Sequence, residues 1–204
     1  MGQNVSDTVK YYDDNADVFV AQTVKADVTG LYVPFLSKLP KRARILDAGS
    51  GSGRDTKAFR DMGHDVVAID ASKEMVEATR RLSNGPAIHS TFLGYSDGDQ
   101  FDGIWACASL LHVPSTDLPK TLNHLSGLLN DSGWMFASFK IGESEQIRNG
   151  RFFNDMDVGR LDAAVDAIQR LSVVNTWKTE DVRPERDERW LNVLLSKEGA
   201  EENS

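Results

Sequence analysis

Cysteine is almost missing from this sequence of 204 residues, because Cys107 is the only one. One cysteine cannot form an internal disulfide, and no cysteine and histidine pairs show the spacing of a metal site, so we expect no bound metal. Long apolar runs are missing as well. The longest covers residues 104–108, whereas a membrane-spanning helix needs roughly 20 residues. Residues 1–10 also lack the apolar stretch of a secretory signal. We therefore expect a cytoplasmic protein without membrane association.

Basic residues are also fewer than acidic residues. Lysine and arginine number 23 against 31 aspartate and glutamate residues, which gives a net charge of -8 at pH 7. Nucleic-acid binding depends on a basic surface that releases counterions, and the chain has no dense run of lysine or arginine. We therefore do not expect nucleic acid as the main partner. An apolar content of 40% in a chain of this length indicates one globular domain.

Short apolar runs alternate with amphipathic segments between residues 44 and 139, which is typical of β-α-β units and a parallel sheet. The pattern predicts an α/β protein with seven strands, near residues 45–48, 65–69, 87–92, 101–106, 134–139, 172–177 and 190–196. It predicts helices over residues 54–62, 72–82, 117–129 and 157–171. We divide the single domain into an N-terminal helical cap (1–40), a cofactor-binding core (41–140), and a substrate lid with the C-terminal strands (141–204).

Three alternate glycines, Gly49, Gly51 and Gly53, follow the first predicted strand and precede a helix. Because glycine has no Cβ, the backbone of such a turn can approach a ligand closely at the carboxyl end of the sheet. Asp70 ends the second predicted strand, where a carboxylate can accept both hydrogen bonds of a ribose diol. Together these features predict a nucleoside ligand across the first two strands.

The residues around the glycines indicate which nucleoside it is. Arg54 stands where the dinucleotide fingerprint requires a third glycine, and no phosphate loop of the GxxxxGK[ST] type occurs. Asp47 lies two residues before the first glycine, where it would repel a pyrophosphate. A ligand with positive charge and an amino-acid end would tolerate that carboxylate better.

The sequence from Asp47 to Gly53 resembles the first motif of class I S-adenosylmethionine-dependent methyltransferases, an acid-x-Gly-x-Gly-x-Gly turn. GSGRDTKAF, VVAIDASKEMVE and FDGIWACASLLHV are similar to small bacterial methyltransferases of the tellurite-resistance type, over roughly residues 44–139. The resemblance implies a Rossmann-like class I methyltransferase fold with a mostly parallel seven-stranded sheet. It also implies S-adenosyl-L-methionine as cofactor, S-adenosyl-L-homocysteine as product, and in-line methyl transfer to a small molecule, with a metalloid oxyanion such as tellurite among the acceptors it allows.

The same resemblance implies which residues contact the cofactor. The glycine turn would hold the methionine portion, Asp70 the ribose, and Ala71 and Met75 the adenine, with Ala106 and Cys107 beneath the cofactor. The full predicted set is Asp47, Gly49, Ser50, Gly51, Gly53, Arg54, Asp70, Ala71, Met75, Ala106 and Cys107. One departure from the family is the missing acid directly after the third strand, which leaves the backbone or Asp97 to hold the adenine.

Candidate residues for the acceptor come from three segments. His112 follows the fourth strand and is the best-placed general base, although a histidine that packs or bonds to backbone would fit as well. Tyr12 either folds over the site or belongs to an ordinary helix face. Arg148 and Arg151, on either side of a Gly150 hinge, suit a lid that grips an anionic or polar acceptor, or else a solvated loop. Residues 180–189 have mixed charge and indicate a hydrated hairpin turn whose arginines could reach the site.

Three other functions compete with a small-molecule methyltransferase. They are a methyltransferase of RNA or another macromolecule, a nicotinamide-dependent oxidoreductase, and a non-catalytic protein that binds S-adenosylmethionine. Residues 106–109 lack the Asn/Asp-Pro-Pro-aromatic motif of amino-directed DNA methyltransferases, which argues against that subclass alone. Arg54 argues against the oxidoreductase.

Overall fold

A seven-stranded sheet runs through the computed structural model, which describes residues 3–183 and 186–198. Its strands are β1 (Arg44–Ala48), β2 (Asp65–Asp70), β3 (Ala87–His89), β4 (Phe101–Ala106), β5 (Leu129–Lys140), β8 (Leu171–Glu180) and β9 (Arg189–Lys197). A separate pair consists of β6 (Glu145–Arg148) and β7 (Arg151–Asn154). The ends of the predicted cap and of the predicted C-terminal segment, residues 1–2 and 199–204, lie outside the described residues, as do residues 184–185.

The strand order in the large sheet is β3-β2-β1-β4-β5-β9-β8. The strands β1 to β5 are parallel to one another, and β9 pairs antiparallel with both β5 and β8. The prediction of a mostly parallel, seven-stranded sheet is thereby confirmed. The chain reverses its strand order beside β1, and this is where open α/β sheets bind their ligands.

Helices cover both faces of this sheet. They are α1 (Gln3–Asp14), α2 (Ala16–Thr23), α3 (Thr29–Leu36), α4 (Arg54–Asp61), α5 (Lys73–Ser83), α6 (Leu118–Gly127) and α7 (Val158–Val165), with a 3₁₀ turn at Leu110–His112. None of the helices in the part of the chain that the structure describes is both long enough and apolar enough to cross a bilayer.

The central strands are buried on both sides, so their side chains pack into two separate apolar cores, one on each face of the sheet. Leu46 and Ile104 point into the core under α6 and α7, while Ile45 and Trp105 point into the core under α3 and α4. The Trp105 ring stacks on Phe136 of β5, with a centroid distance of 4.1 Å. This burial explains the continuous apolar composition of the parallel strands.

Three predicted elements end two or more residues earlier in the structure than in the prediction. The leucine-rich helix was expected to reach Leu129, but α6 ends at Gly127 because Leu129 pairs with Phe101 of β4. The helix expected over residues 157–171 ends at Val165, since Leu171 pairs with Lys197 of β9. The third strand covers only Ala87–His89 instead of residues 87–92. In the first two cases sheet pairing distant in sequence overrides a continuing helical pattern.

Residues 147–153, expected as a hinged loop, instead form the turn and strands of a β-hairpin. Asn149 and Gly150 connect β6 and β7 with φ angles of 51° and 77°. Positive φ at both turn residues is the two-residue geometry that matches the twist of a hairpin. The hairpin packs against α1, where the Phe152 N–H donates to Thr8 Oγ1 at 2.9 Å.

The glycine turn after β1 generates a stability prediction. A Cβ at Gly53, whose φ is +81°, would lie 2.6 Å from the Thr79 Cα of α5, while a Cβ at Gly63, whose φ is +89°, would meet no atom within 4 Å. Gly63→Ala should therefore cost only the left-handed strain, about 1–2 kcal/mol. Gly53→Ala should cost about 1–3 kcal/mol more, because the added methyl displaces backbone.

Urea unfolding followed by circular dichroism measures both free energies. Equal losses in the two variants would contradict the close approach of the glycine turn to α5. A smaller loss at Gly53 than at Gly63 would contradict it more strongly.

Candidate active site

The glycine turn is fixed by the end of the neighbouring strand. Gly49 and Ser50 both donate their N–H to the Ile69 carbonyl of β2, at 2.9 and 3.0 Å. A Cβ on Gly49 would lie 2.4 Å from the Cβ of Ser109, in the segment that follows β4. Only glycine therefore lets the turn after β1 touch the segment after β4, and the two together form the floor of the site.

Asp70 occupies the centre of this arrangement. Its Oδ2 accepts from the Gly51 N–H and its Oδ1 from the Ser72 N–H, both at 2.9 Å. Burial raises the pKa of Asp70 to about 6, although these backbone hydrogen bonds oppose the shift. Each carboxylate oxygen retains a further lone pair. The oriented carboxylate can therefore accept two more hydrogen bonds from a ligand.

Two cavities meet over the turn. One, of about 570 Å³, lies between Asp70 and the residues after β3. The other, of about 510 Å³, extends towards the ends of β5, β8 and β9. Both are lined by Tyr12, Phe19, Gly49, Gly51, Ala108 and His112. These volumes are in the range of small-molecule and cofactor sites.

Most of the residues predicted from the sequence line these cavities. They are Tyr12, Gly49, Ser50, Gly51, Arg54, Asp70, Ala71, Met75, Cys107, His112 and Arg151. Four predicted residues lie outside both linings, namely Asp47, Gly53, Ala106 and Arg148. Their positions explain why.

Asp47 is buried below the turn and accepts a hydrogen bond from Thr56 Oγ1 at 2.5 Å. Gly53 lies against Thr79, and Ala106 is fully buried in the core. Arg148 forms an ion pair with the buried carboxylate of Asp155. The surroundings of these four residues therefore indicate structural roles.

Asp97, proposed above as an adenine ligand, lies outside both linings as well. Its carboxylate accepts from the Tyr95 hydroxyl and forms an ion pair with Arg44 at 3.1 Å. These hydrogen bonds lower the pKa of Asp97 to about 2. Ser90, Thr91 and Phe92 line the cavity at the point where adenine was expected.

His112 has a definite tautomer. Its Nδ1 lies 2.6 Å from the Phe152 carbonyl oxygen, which can only accept, so Nδ1 carries the proton. Nε2 then accepts from the Tyr12 hydroxyl at 2.9 Å. Burial lowers the pKa of His112 to about 4, with a further contribution from the charge of Arg151. At neutral pH His112 is thus uncharged, with its basic nitrogen directed at Tyr12.

Asp55 is a central residue that the sequence did not reveal. It accepts from Tyr32 Oη at 2.6 Å, from Trp105 Nε1 at 2.8 Å, and from two nitrogens of Arg54. Burial favours the protonated carboxyl, but the charge of Arg54 and these hydrogen bonds outweigh it and lower the pKa of Asp55. The ionised Asp55 and burial together raise the pKa of Asp47 to about 7, with burial the larger effect.

Cys107 lines the second cavity as a neutral thiol. Burial raises its pKa to about 12, and the charge of Asp55 adds to the effect. A thiol that stays protonated is a poor nucleophile. Packing is therefore the role that its environment supports.

The last strands of the large sheet supply side chains that the sequence did not identify. Lys140 of β5, together with Trp177, Trp190 and Asn192, lines the second cavity. Arg183 and Arg186 of the β8–β9 connection line it as well, as expected for the arginines of residues 180–189. The prediction of a hydrated turn over residues 180–189 is wrong at Asp181, whose buried side chain accepts from Arg183 and Trp190. Residues 184–185 of that predicted turn lie outside the described residues.

The amino-acid sequence matches the family model described as Methyltransferase domain over residues 22–159. It is 29% identical over 114 residues to a magnesium-protoporphyrin O-methyltransferase of Rhodobacter capsulatus, covering 52% of this chain and 51% of that protein. It is 25% identical to an uncharacterized methyltransferase of Staphylococcus carnosus, covering 66% of this chain and 67% of that protein. The chain thus spans about half to two thirds of these curated relatives.

Solved structures share the architecture. A 1,6-didemethyltoxoflavin-N1-methyltransferase of Burkholderia thailandensis, with bound 1,6-didemethyltoxoflavin and S-adenosylhomocysteine, gives a TM-score of 0.75 at 22% identity, covering 95% of this chain and 87% of that chain. The N-methyltransferase NodS of Bradyrhizobium japonicum, in complex with S-adenosyl-L-homocysteine, gives 0.71 at 13% identity, covering 96% and 99%. At these identities the likeness shows a common fold.

The environment of His112 generates a prediction about its titration. NMR of the 15N-labelled protein should show His112 neutral at pH 7 with the proton on Nδ1, and protonation only near pH 4. The unfolded chain takes up this proton near pH 6.5, before the folded protein does. The free energy of unfolding should therefore fall between pH 6.5 and 4, by at most about 3 kcal/mol from this residue.

His112→Gln should lack this part of the pH dependence, because glutamine does not titrate. Protonation of His112 near its ordinary value, or a variant with an unchanged stability profile, would contradict the buried neutral imidazole.

Proposed function

The chain belongs to the methyltransferase-domain family, and on that premise we propose that it transfers the methyl group of S-adenosyl-L-methionine to a small organic molecule. The observation that carries this proposal is the Asp70 carboxylate, which ends β2, binds the glycine turn and borders a cavity. Similarity to the tellurite-resistance type stays a prediction from the sequence motifs alone.

The first cavity suits the nucleoside of the cofactor. Asp70 offers two lone pairs to the ribose hydroxyls, and Ala71 and Met75 supply apolar surface beside the ring. Phe92 lines the same cavity and can pack on the adenine face. Adenine recognition then rests on shape and on Ser90 and Thr91, because Asp97 is occupied by Arg44.

The charges below the glycine turn suit a cationic ligand. Asp47 and Asp55 are both buried on this side of the turn, and the Asp55 carboxylate is ionised beside Arg54. Arg54 offsets the charge of Asp55, and a pKa of about 7 leaves Asp47 partly ionised, so the ionised fraction of Asp47 is the charge that repels a pyrophosphate and attracts a cation. S-adenosyl-L-methionine carries two cations, a sulfonium and an ammonium group.

The junction of the two cavities is where we place the reacting groups. S-adenosyl-L-methionine supplies an electrophilic methyl group on a positively charged sulfur. Gly49, Gly51 and Ala108 confine the space from below, while Tyr12 and Phe19 cover it from α1 and α2. These residues position the acceptor and exclude water, which are the main requirements of an in-line displacement.

Tyr12 and His112 can take the proton that an O–H or N–H acceptor loses. The Tyr12 oxygen receives the acceptor's proton while the Tyr12 hydroxyl proton moves to Nε2 of His112, to which it is already hydrogen bonded. The Phe152 carbonyl then faces the Nδ1–H of an imidazolium, which it stabilises. His112 acts through Tyr12 in this scheme.

Asp70→Ala should weaken the binding of S-adenosyl-L-homocysteine at least tenfold, because a hydrogen bond to a charged group contributes about 1.5–3 kcal/mol. Isothermal titration calorimetry measures the affinity. Asp65→Asn, an exposed acid at the other end of β2, is the matched control and should leave the affinity unchanged. Wild-type affinity in the Asp70→Ala protein would show that Asp70 does not bind the ligand.

The affinity should also depend on pH. Because the pKa of Asp70 is raised to about 6, the carboxylate becomes protonated as the pH falls through that value and loses acceptor lone pairs. Affinity for S-adenosyl-L-homocysteine should therefore fall about tenfold from pH 7 to pH 5. Asp70→Asn should bind weakly at both pH values, and a wild-type pH dependence in that variant would contradict the assignment.

Tyr12→Phe and His112→Gln should each lower kcat about 100-fold, while S-adenosyl-L-homocysteine affinity stays within threefold. The assay follows methyl transfer from labelled S-adenosyl-L-methionine to a panel of small phenols, amines and carboxylic acids. Wild-type turnover in both variants would show that Tyr12 and His112 pack in the site without transferring the proton. Binding of the cofactor without transfer to any acceptor would contradict the proposed activity itself.

A further inference from the structure

Among the residues that the structure describes, one cation of the second cavity has no acidic partner. Arg54 pairs with Asp55, Arg183 with Asp181, and Lys140 with Glu188, while Arg186 lies 3.7 Å from Glu188. Arg151 also lines this cavity, and no carboxylate of residues 3–183 or 186–198 lies within 4.0 Å of its guanidinium. The cavity therefore holds a positive charge that its own described side chains do not neutralise.

Aromatic rings hold this guanidinium in place. Its central carbon lies 4.7 Å from the ring centroid of Tyr11, 5.8 Å from that of Tyr12 and 5.2 Å from that of Phe153. Its Nε is buried without a hydrogen-bond partner, and Nη1 lies 3.5 Å from the Tyr12 hydroxyl. Such rings orient a guanidinium but leave its forked N–H donors available for a planar anion.

Lys140 also lies near Arg151, since its Nζ is 4.9 Å from the Phe153 ring that Arg151 contacts, but Lys140 is paired with Glu188. His112 faces the same space in its neutral form, and its proton on Nδ1 is occupied by the Phe152 carbonyl. Phe153, Trp177 and Trp190 contribute aromatic walls, and the volume is about 510 Å³. That space fits an organic ring system and greatly exceeds what an inorganic oxyanion would fill.

We propose that the methyl acceptor is a small aromatic acid, whose carboxylate forms a bidentate pair with Arg151 while its nucleophilic oxygen or nitrogen lies against the Tyr12 hydroxyl. This inference rests on the proposed function. Because Arg151 Nη1 and the Tyr12 oxygen are 3.5 Å apart, the carboxylate and the nucleophile are neighbouring groups on the ring. The hairpin strand β7, which carries Arg151, then selects the acceptor.

The test uses the whole chain of 204 residues saturated with S-adenosyl-L-homocysteine, whose binding is measured first in the same calorimeter. The probes are anthranilate, salicylate and 3-hydroxybenzoate, each beside its neutral amide, with tellurite as the inorganic arm. At least one acid should bind tenfold more tightly than its amide. Arg151→Gln should lose at least tenfold of that acid's affinity, and Arg151→Lys should retain part of it.

Arg81→Gln is the matched control, because it removes the same charge from an exposed arginine that lines neither cavity. It should change acid binding by less than threefold. Thermal unfolding of each variant verifies that it is folded. If Arg151→Gln is not folded, Arg151→Lys takes its place in the comparison.

Equal affinity for acids and amides, no saturable binding of any acid, or acid binding that survives Arg151→Gln overturns the inference. Tighter binding of tellurite than of every organic acid overturns it as well, in favour of an inorganic acceptor. If S-adenosyl-L-homocysteine binds but these acid results fail, the inference alone is lost. If S-adenosyl-L-homocysteine does not bind, the proposed function falls and the inference with it.

Discussion

Four backbone N–H groups converge on two consecutive residues at the end of β2. Gly49 and Ser50 donate to the Ile69 carbonyl, while Gly51 and Ser72 donate to the Asp70 carboxylate. These bonds join the turn after β1 to the start of α5 and fix the orientation of a half-buried acid before any ligand arrives. Burial disfavours the charged form of that acid and raises its pKa. The binding site gains a hydrogen-bond acceptor that is already oriented for a ligand.

Burial shifts the pKa of several titratable groups of the site, and the direction of the shift depends on the residue type. It favours the neutral imidazole of His112 and the neutral thiol of Cys107. Arginine cannot be neutralised in this way, because its guanidinium stays protonated at any accessible pH. Arg54 and Arg183 are satisfied by adjacent acids, and Arg151 is held by aromatic rings instead. Among the described residues that line the second cavity, Arg151 is thus the cation left without an acidic partner.

The parts of the fold and site that depend on local sequence could be predicted. The apolar runs of β1 and β2, the alternate glycines and Asp70 all lie within one β-α-β segment, where spacing along the chain decides spacing in space. Asn149-Gly150 was also a local signal, since Asn-Gly between alternating residues favours a hairpin, but it was interpreted as a hinge.

Other features depend on segments that are far apart in the sequence. Asp55 accepts hydrogen bonds from Tyr32 and Trp105, and Lys140 forms an ion pair with Glu188. In each pair the two partners are far apart in the sequence, so a local sequence pattern does not reveal them. The same holds for the ends of α6 and α7, which are decided by strand pairing with β4 and β9. The pairing of Tyr12 with His112 joins residues a hundred positions apart.

The small hairpin of β6 and β7 forms its own two-stranded sheet, separate from the ladder of seven strands. It nevertheless contributes Arg151 and the Phe152 carbonyl to the site. Changes in its sequence can therefore alter which compound is accepted while the scaffold that holds the nucleoside keeps its hydrogen bonds. In the proposed function, acceptor selection and cofactor binding are thus divided between two separate sheets, and a substitution in one leaves the strand pairing of the other unchanged.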